Sequence, residues 1–245
     1  MSIIWTHIQF SEDIVDSIQK TDDYAAYERY MKLGTQMTNL IYLYNQRIKK
    51  KNSYNEINVS ANEQVQFLIN LIKEVKNYPK FVQAFVFGLL THYILEKEIR
   101  PYLIYLNNEF NCEEFKCESQ IDTLIMKKTY NLETWKTPVY NEINIGLLID
   151  RHIIDLLKLI KHPISKHLQQ TYIQFIMTLR YYFDPYGWKS KLLPSYHPMY
   201  RPFSELQNGI DYLNICHEEW INPSTKETST NNFFQLYDEI GRAHV

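Results

Sequence analysis

His92 and Glu96 lie four residues apart in the segment FGLLTHYILEKEIRPYL, residues 87–103. On a helix that spacing projects both side chains from one face. An imidazole and a carboxylate so placed can hold one divalent metal between them, or simply hydrogen-bond in a buried core. Arg100 falls near the same face one turn further on. A guanidinium keeps its charge and offers only donors, so it cannot ligate a metal and would pair with a carboxylate instead.

A second set of acids follows at Glu113, Glu114, Glu118 and Asp122. The last three share a helical face at i, i+4 and i+8, where like charges repel unless a metal or cations compensate. A solvated face is the plainer account, with Lys116, Lys127 and Lys128 close by. His7, beside Trp5 and ahead of the expected first helix, is a further candidate ligand. His152, His162 and His167 share no face and read as surface or hydrogen-bonding residues. Cys112, Cys117 and Cys216 form a sparse, odd set. They read as ordinary thiols of a reducing compartment rather than a disulfide framework, and no Cys or His pair flanks them at zinc-ribbon spacing. The aromatics from Tyr181 to Trp188 could meet lipid or a ligand; core and rim packing is the commoner use of such residues.

The elements that must position these groups read as helices. Ser11 is the expected N-cap of a helix reaching Gln19, and a second covers Asp23 to Leu33 with Gly34 as its C′ residue. Asn39–Lys51 and Asn62–Lys76 follow at helical spacing. Pro79 to about Ile99 is apolar almost all round, which predicts a buried central helix that stops before Pro101. Phe110–Lys128 is another helix, and Ile143–Lys161 with Ile164–Phe183 form a hairpin broken at His162–Pro163. No stretch shows strand alternation, and Asp184–Pro202, rich in proline and aromatics, predicts an ordered surface loop. The fold class expected is all-α, a single multi-helix domain over residues 1–238. Residues 239–245 (EIGRAHV) match what translated sequencing-adapter read-through would encode and are read as an artefactual tail.

Composition narrows the function further. In 245 residues, 45% are hydrophobic, enough for a sizeable core and against wholesale disorder. A formal charge of −2 leaves no electrostatic footprint for nucleic acid. Six glycines are too few for a dinucleotide-binding fold. The most apolar run, Phe81–Leu95, falls short of a bilayer span, and the N-terminal residues lack the pattern of a signal peptide. A cytoplasmic location is therefore expected. The wealth of Lys, Asn, Ile and Tyr suggests AT-rich coding DNA and a low-GC bacterium.

The order of these pieces carries more than any one of them. His7 is followed by GTQMTNLIYLY from Gly34, by His92-x3-Glu96-x3-Arg100-Pro-Tyr, and by Glu118-x3-Asp122. GIDYLN from Gly209, His217-x2-Trp220-x2-Pro223 and a short helix after Phe233 close the chain. This succession resembles the bacterial zinc-dependent phospholipase C family over most of residues 3–238. The resemblance implies an all-α fold in which several helices aim His, Asp and Glu at three zinc ions that clamp and hydrolyse a phosphodiester. It makes His7, His92, Glu96 and Glu118 metal ligands, with Glu96 where the family has aspartate. It also places Asn39 at an aspartate position, Asn62 and Arg100 at histidine positions, and Glu114 where a further histidine is expected. The expectation is a phospholipase C-like hydrolase with an eroded site holding one zinc ion or none, acting on phospholipid or another phosphodiester if active. The alternative is a catalytically inactive relative, a pseudoenzyme that binds a ligand or partner.

Overall fold

The computed structural model describes residues 3–19, 24–51, 61–111, 113–193, 195–203 and 209–242. It is mostly helical, as the apolar periodicity predicts. The helices are α1 (Ile4–Ser17), α2 (Glu28–Gly34), α3 (Met37–Lys51), α4 (Ala61–Val75), α5 (Lys80–Glu109) and α6 (Glu114–Tyr130). They continue with α7 (Arg151–Leu159), α8 (Leu168–Tyr182), the short α9 (Trp188–Leu192) and α10 (Phe233–Arg242). Among the described residues the only strands are β1 (Trp220–Ile221) and β2 (Thr228–Ser229), an antiparallel pair with Trp220 opposite Ser229. No helix described is long and apolar enough to cross a membrane.

The 30-residue α5, about 45 Å long, is the axis of the molecule. Val82, Phe85, Val86 and Leu89 are all buried, so its first half is enclosed on several sides. It does not stop before Pro101 as expected; Pro101 lies inside it. A proline removes one N–H and crowds the carbonyl four residues back, here that of Lys97, whose side chain is out in solvent. Burial of Tyr102, Leu103 and Leu106 beyond the proline outweighs that loss. Helix α2 crosses α5 at two glycines. A Cβ on Gly34 would overlap the Phe85 carbonyl oxygen, and one on Gly88 the Met31 carbonyl oxygen. Gly34 is thus the last helical residue of α2, used for close approach and not as a left-handed C′ cap.

Other corrections have local causes. Helix α1 begins at Ile4, well before Ser11, whose hydroxyl donates to the Ile8 carbonyl from inside the helix. Helix α7 begins only at Arg151, because Asp150 caps the His152 N–H and the chain before it turns at Gly146 with φ 113°. Cys117 is disulfide-bonded with a partner outside the described residues, whereas Cys216 is an exposed free thiol. Spacing alone does not say which sulfurs meet. The bond overturns the reading of Cys117 as an ordinary thiol and, with it, the cysteine argument for a reducing compartment. The backbone of α10 runs past residue 238 to Arg242; the side chains of 239–242 and all of 243–245 lie outside what is described.

Three polar clusters fasten the helices. The buried Lys32 ammonium of α2 meets Glu12 of α1 at 2.8 Å, Glu142 at 2.9 Å and Glu28 within its own helix. Burial would lower its pKa, but these carboxylates together raise it. Asp13 accepts from the Tyr130 hydroxyl of α6 at 2.9 Å and the Tyr237 hydroxyl of α10 at 2.6 Å. In the closing segment the Trp220 indole donates to the Asn231 carbonyl at 3.0 Å and packs edge-on to Tyr102.

His162 opens the turn Pro163–Lys166, its Nδ1 accepting from the Ile164 N–H at 3.4 Å beside the ring of Phe67. Burial pushes its pKa down to about 4. The unfolded chain then binds a proton below about 6.5 that the native state refuses, so stability falls as pH drops from 6.5 toward 4. In urea titrations at several pH values, His162→Asn is expected to flatten that slope by about 2 kcal/mol across the window. An unchanged slope would remove His162 as its cause.

Candidate functional site

Helix α5 presents His92, Glu96 and Arg100 at successive turns, and three other elements bring their partners. Helix α1 supplies His7. The first turn of any helix carries N–H groups without intrahelical acceptors, and Ile3, at the N-cap of α1, has no side chain to satisfy them. Asp122 of α6 does so from outside. It accepts from the Trp5 N–H at 3.0 Å, the Thr6 N–H at 2.8 Å and the Thr6 hydroxyl at 2.6 Å, and from the Tyr200 hydroxyl at 2.8 Å. A carboxylate also complements the positive end of the α1 dipole. Burial raises the Asp122 pKa, and these four donors oppose the rise. Asp122 is therefore a tertiary cap that seats α1, with its oxygens already taken.

So held, His7 is fully buried with its Nε2 3.0 Å from Glu96 Oε1 and its ring stacked on that of His92, centroids 3.9 Å apart. The His92 Nε2 meets the Thr38 hydroxyl of α3 at 2.7 Å. Burial would raise the Glu96 carboxyl, but the His7 hydrogen bond and the neighbouring His7, His92 and Arg100 hold it at about 2. An ionised carboxylate only accepts, so His7 Nε2 carries the hydrogen of this bond and leaves the other ring nitrogen, Nδ1, to find its own partner. That Nδ1 is buried without a hydrogen bond. His92 is pushed well below the ordinary histidine value, by burial first and by His7 next.

Arg100 stands at the edge of this cluster, 41% exposed, with Nη1 3.2 Å from Glu118 Oε1 and 3.9 Å from Glu96 Oε2. Glu118 is 2% exposed. Arg100→Ala leaves a buried carboxylate without its guanidinium. A fully buried pair broken this way costs 3 kcal/mol or more, and solvent around the half-exposed arginine reduces the expected loss to about 2 kcal/mol. Denaturation of the variant within error of the parent would sink the pairing.

The sequence candidates thus separate. One ligand atom from each of His7, His92 and Glu96 lies within 4.8 Å of the other two. Glu118 joins them through Arg100 and is not one of that trio. Asn39 is buried and its amide donates to Gln36 Oε1 at 2.8 Å. Asn62 and Glu114 lie on α4 and α6, and their side chains fall outside the described residues. Thr38, Gln36 and the capping role of Asp122 were not visible in the sequence, because each depends on a partner in another helix.

These donors answer differently to one ion and to three. Two imidazoles and one carboxylate are the right ligand types for a single zinc, and the Nδ1 atoms of both His7 and His92 are buried without a hydrogen bond. A three-ion cluster does not fit. Asn39 is neutral and engaged, Asp122 is saturated by four donors, and a guanidinium lies against Glu118. A scan of family profiles, a search of curated proteins and a search of solved structures each return no match.

Proposed function

We propose that this chain is a non-hydrolytic helical binding protein, a pseudoenzyme of the zinc-dependent phospholipase C type whose site keeps at most one zinc. The observation that carries the reading is the position of Arg100, bridging Glu118 and Glu96. A fixed cation there repels a metal ion and neutralises carboxylates that a multi-metal clamp would need. Helices α1, α3, α5 and α6 then serve as a scaffold, with His7, His92 and Glu96 forming a polar core beside the ion pair.

A second reading, a one-metal phosphodiesterase, is favoured by the closeness of the His7, His92 and Glu96 donor atoms. In that case these three residues would hold the metal, which would supply a Lewis acid and an activated water. The test is zinc content by mass spectrometry on chelator-free, untagged protein, with phosphodiester hydrolysis assayed on the same sample and on His92→Ala. Zinc at about one per chain or less, with hydrolysis no faster than in His92→Ala, is the expected result. Hydrolysis that disappears together with zinc in His92→Ala would overturn the reading.

A further inference from the structure

A helix on the surface of a globular protein turns an apolar stripe inward and a polar one outward. Helix α8 does the first with Leu168, Tyr172, Phe175 and Leu179, all buried. Its outer face breaks the rule, because Ile173, Met177 and Tyr181, at i, i+4 and i+8, are exposed. The face continues into the next segment. The Lys189 ammonium of α9 donates to the carbonyls of Arg180, Tyr181 and Phe183, which fastens α9 against the end of α8. From there Tyr186, Trp188 and Leu192 stand out at 79%, 70% and 76% exposure. Core and rim packing, the expected use of these aromatics, holds for the half-buried Tyr182 and Phe183 and for the ring of Tyr181, edge-on to Tyr182 and Tyr196, but not for Tyr186 and Trp188.

Charge on this stretch is one-sided. Residues 166–201 hold Lys166, Arg180, Lys189, Lys191 and Arg201 against the single acid Asp184, in a chain whose net charge is −2. Two cavities of about 490 and 570 Å³ share His197, Pro198 and Arg201 in their linings. Lys116 and Glu113 line the first, Lys191 and Asp184 the second, and Arg201 lines both, leaving each with one more base than acid. Arg201 makes no ion pair among the described residues.

We propose that the α8–α9 face docks this protein on an anionic lipid surface. Tryptophan and tyrosine with flanking aliphatics are the side chains that settle at the level of lipid headgroups, and interleaved lysines and arginines are attracted to anionic ones. A protein partner would not require this bias toward positive charge. Trp188 and Leu192 enter the interface, and Lys191 and Arg201 meet the phosphates at its rim. No residue of the His7 cluster takes part, so the proposal stands whether or not a metal is bound.

The test is flotation of the full chain with vesicles of phosphatidylcholine alone or mixed with phosphatidylglycerol. Binding to the mixed vesicles, weakened by added salt and near absent on pure phosphatidylcholine, is the expected result. Lys191→Glu reverses one charge and should lower partitioning about tenfold. Trp188→Ser combined with Leu192→Ser should abolish binding while far-ultraviolet dichroism and the melting curve stay those of the parent, since neither side chain is buried. Failure of the parent to bind phosphatidylglycerol vesicles, or unchanged binding by the double variant, overturns the proposal. So does a parent that ignores vesicles but dimerises in sedimentation equilibrium while the double variant is monomeric; the face would then belong to a second copy.

Discussion

Gly88→Ala is expected to destabilise the protein by about 3 kcal/mol even though alanine is the better helix former by about 1 kcal/mol. The added methyl has nowhere to go, because the Met31 carbonyl oxygen of α2 occupies its place and backbone cannot turn aside as a side chain would. Helices α2 and α5 must separate, opening the contacts of Met31 and Leu33, both buried. Gly34→Ala should cost a similar amount by pressing on Phe85. Both changes act on one crossing, and once the helices have parted the second change meets little resistance. The double variant should therefore lose clearly less than the two single losses combined. Urea denaturation of the three variants measures this, and a Gly88→Ala protein as stable as its parent would mean that the crossing is looser than described.

The other large effect belongs to Asp122→Ala. It removes a buried acceptor from two backbone N–H groups and two hydroxyls at once. The Thr6 and Tyr200 hydroxyls can partly re-pair, but the Trp5 and Thr6 N–H groups have no intrahelical acceptor to turn to. A lost N-cap costs about 1 kcal/mol, and leaving buried donors unsatisfied adds 1–3 kcal/mol, so a total of about 4 kcal/mol is expected. Asp122→Asn, which keeps one acceptor oxygen, should fall between. The change also reaches the site without touching it, because α1 loses its anchor at Trp5 and Thr6, the two residues directly before His7. The His7 imidazole resonances should shift in Asp122→Asn while those of the distant His152 stay in place. Unmoved His7 signals would show that α1 is seated by its apolar face alone.

What the sequence reveals here divides by distance along the chain. His92, Glu96 and Arg100 share a face because helix geometry alone puts them there, and that geometry needed only the apolar run from Phe81 to be read as a helix. The placement of His7 against Glu96 came from the resemblance and not from spacing, as 89 residues separate the pair. Asp122 misled: its spacing from Glu118 placed it among the acids, whereas its partners are backbone groups more than 110 residues earlier. Pro101 and Gly34 misled for the opposite reason. Each carries a strong local rule, termination for one and a left-handed cap for the other, and in each case packing against a neighbouring element prevails. The exposure of Trp188 and Leu192 could not be read from residue type, which says how apolar a side chain is and nothing of what covers it.

The hydroxyl of Tyr237 reaches Asp13 across 224 residues of sequence. The ring of Tyr237 also stands edge-on to Phe10 of the same early helix, 5.1 Å away. Synthesised from its N-terminus, the chain makes α1 well before α10, the helix that completes its surroundings. Until α10 emerges, Phe10 and Asp13 lack these partners, and the helix that carries His7 is incompletely seated. Assembly of the polar cluster is thus a late event in the life of the nascent chain. Contacts of such sequence separation also slow folding, since a long loop must close before they form.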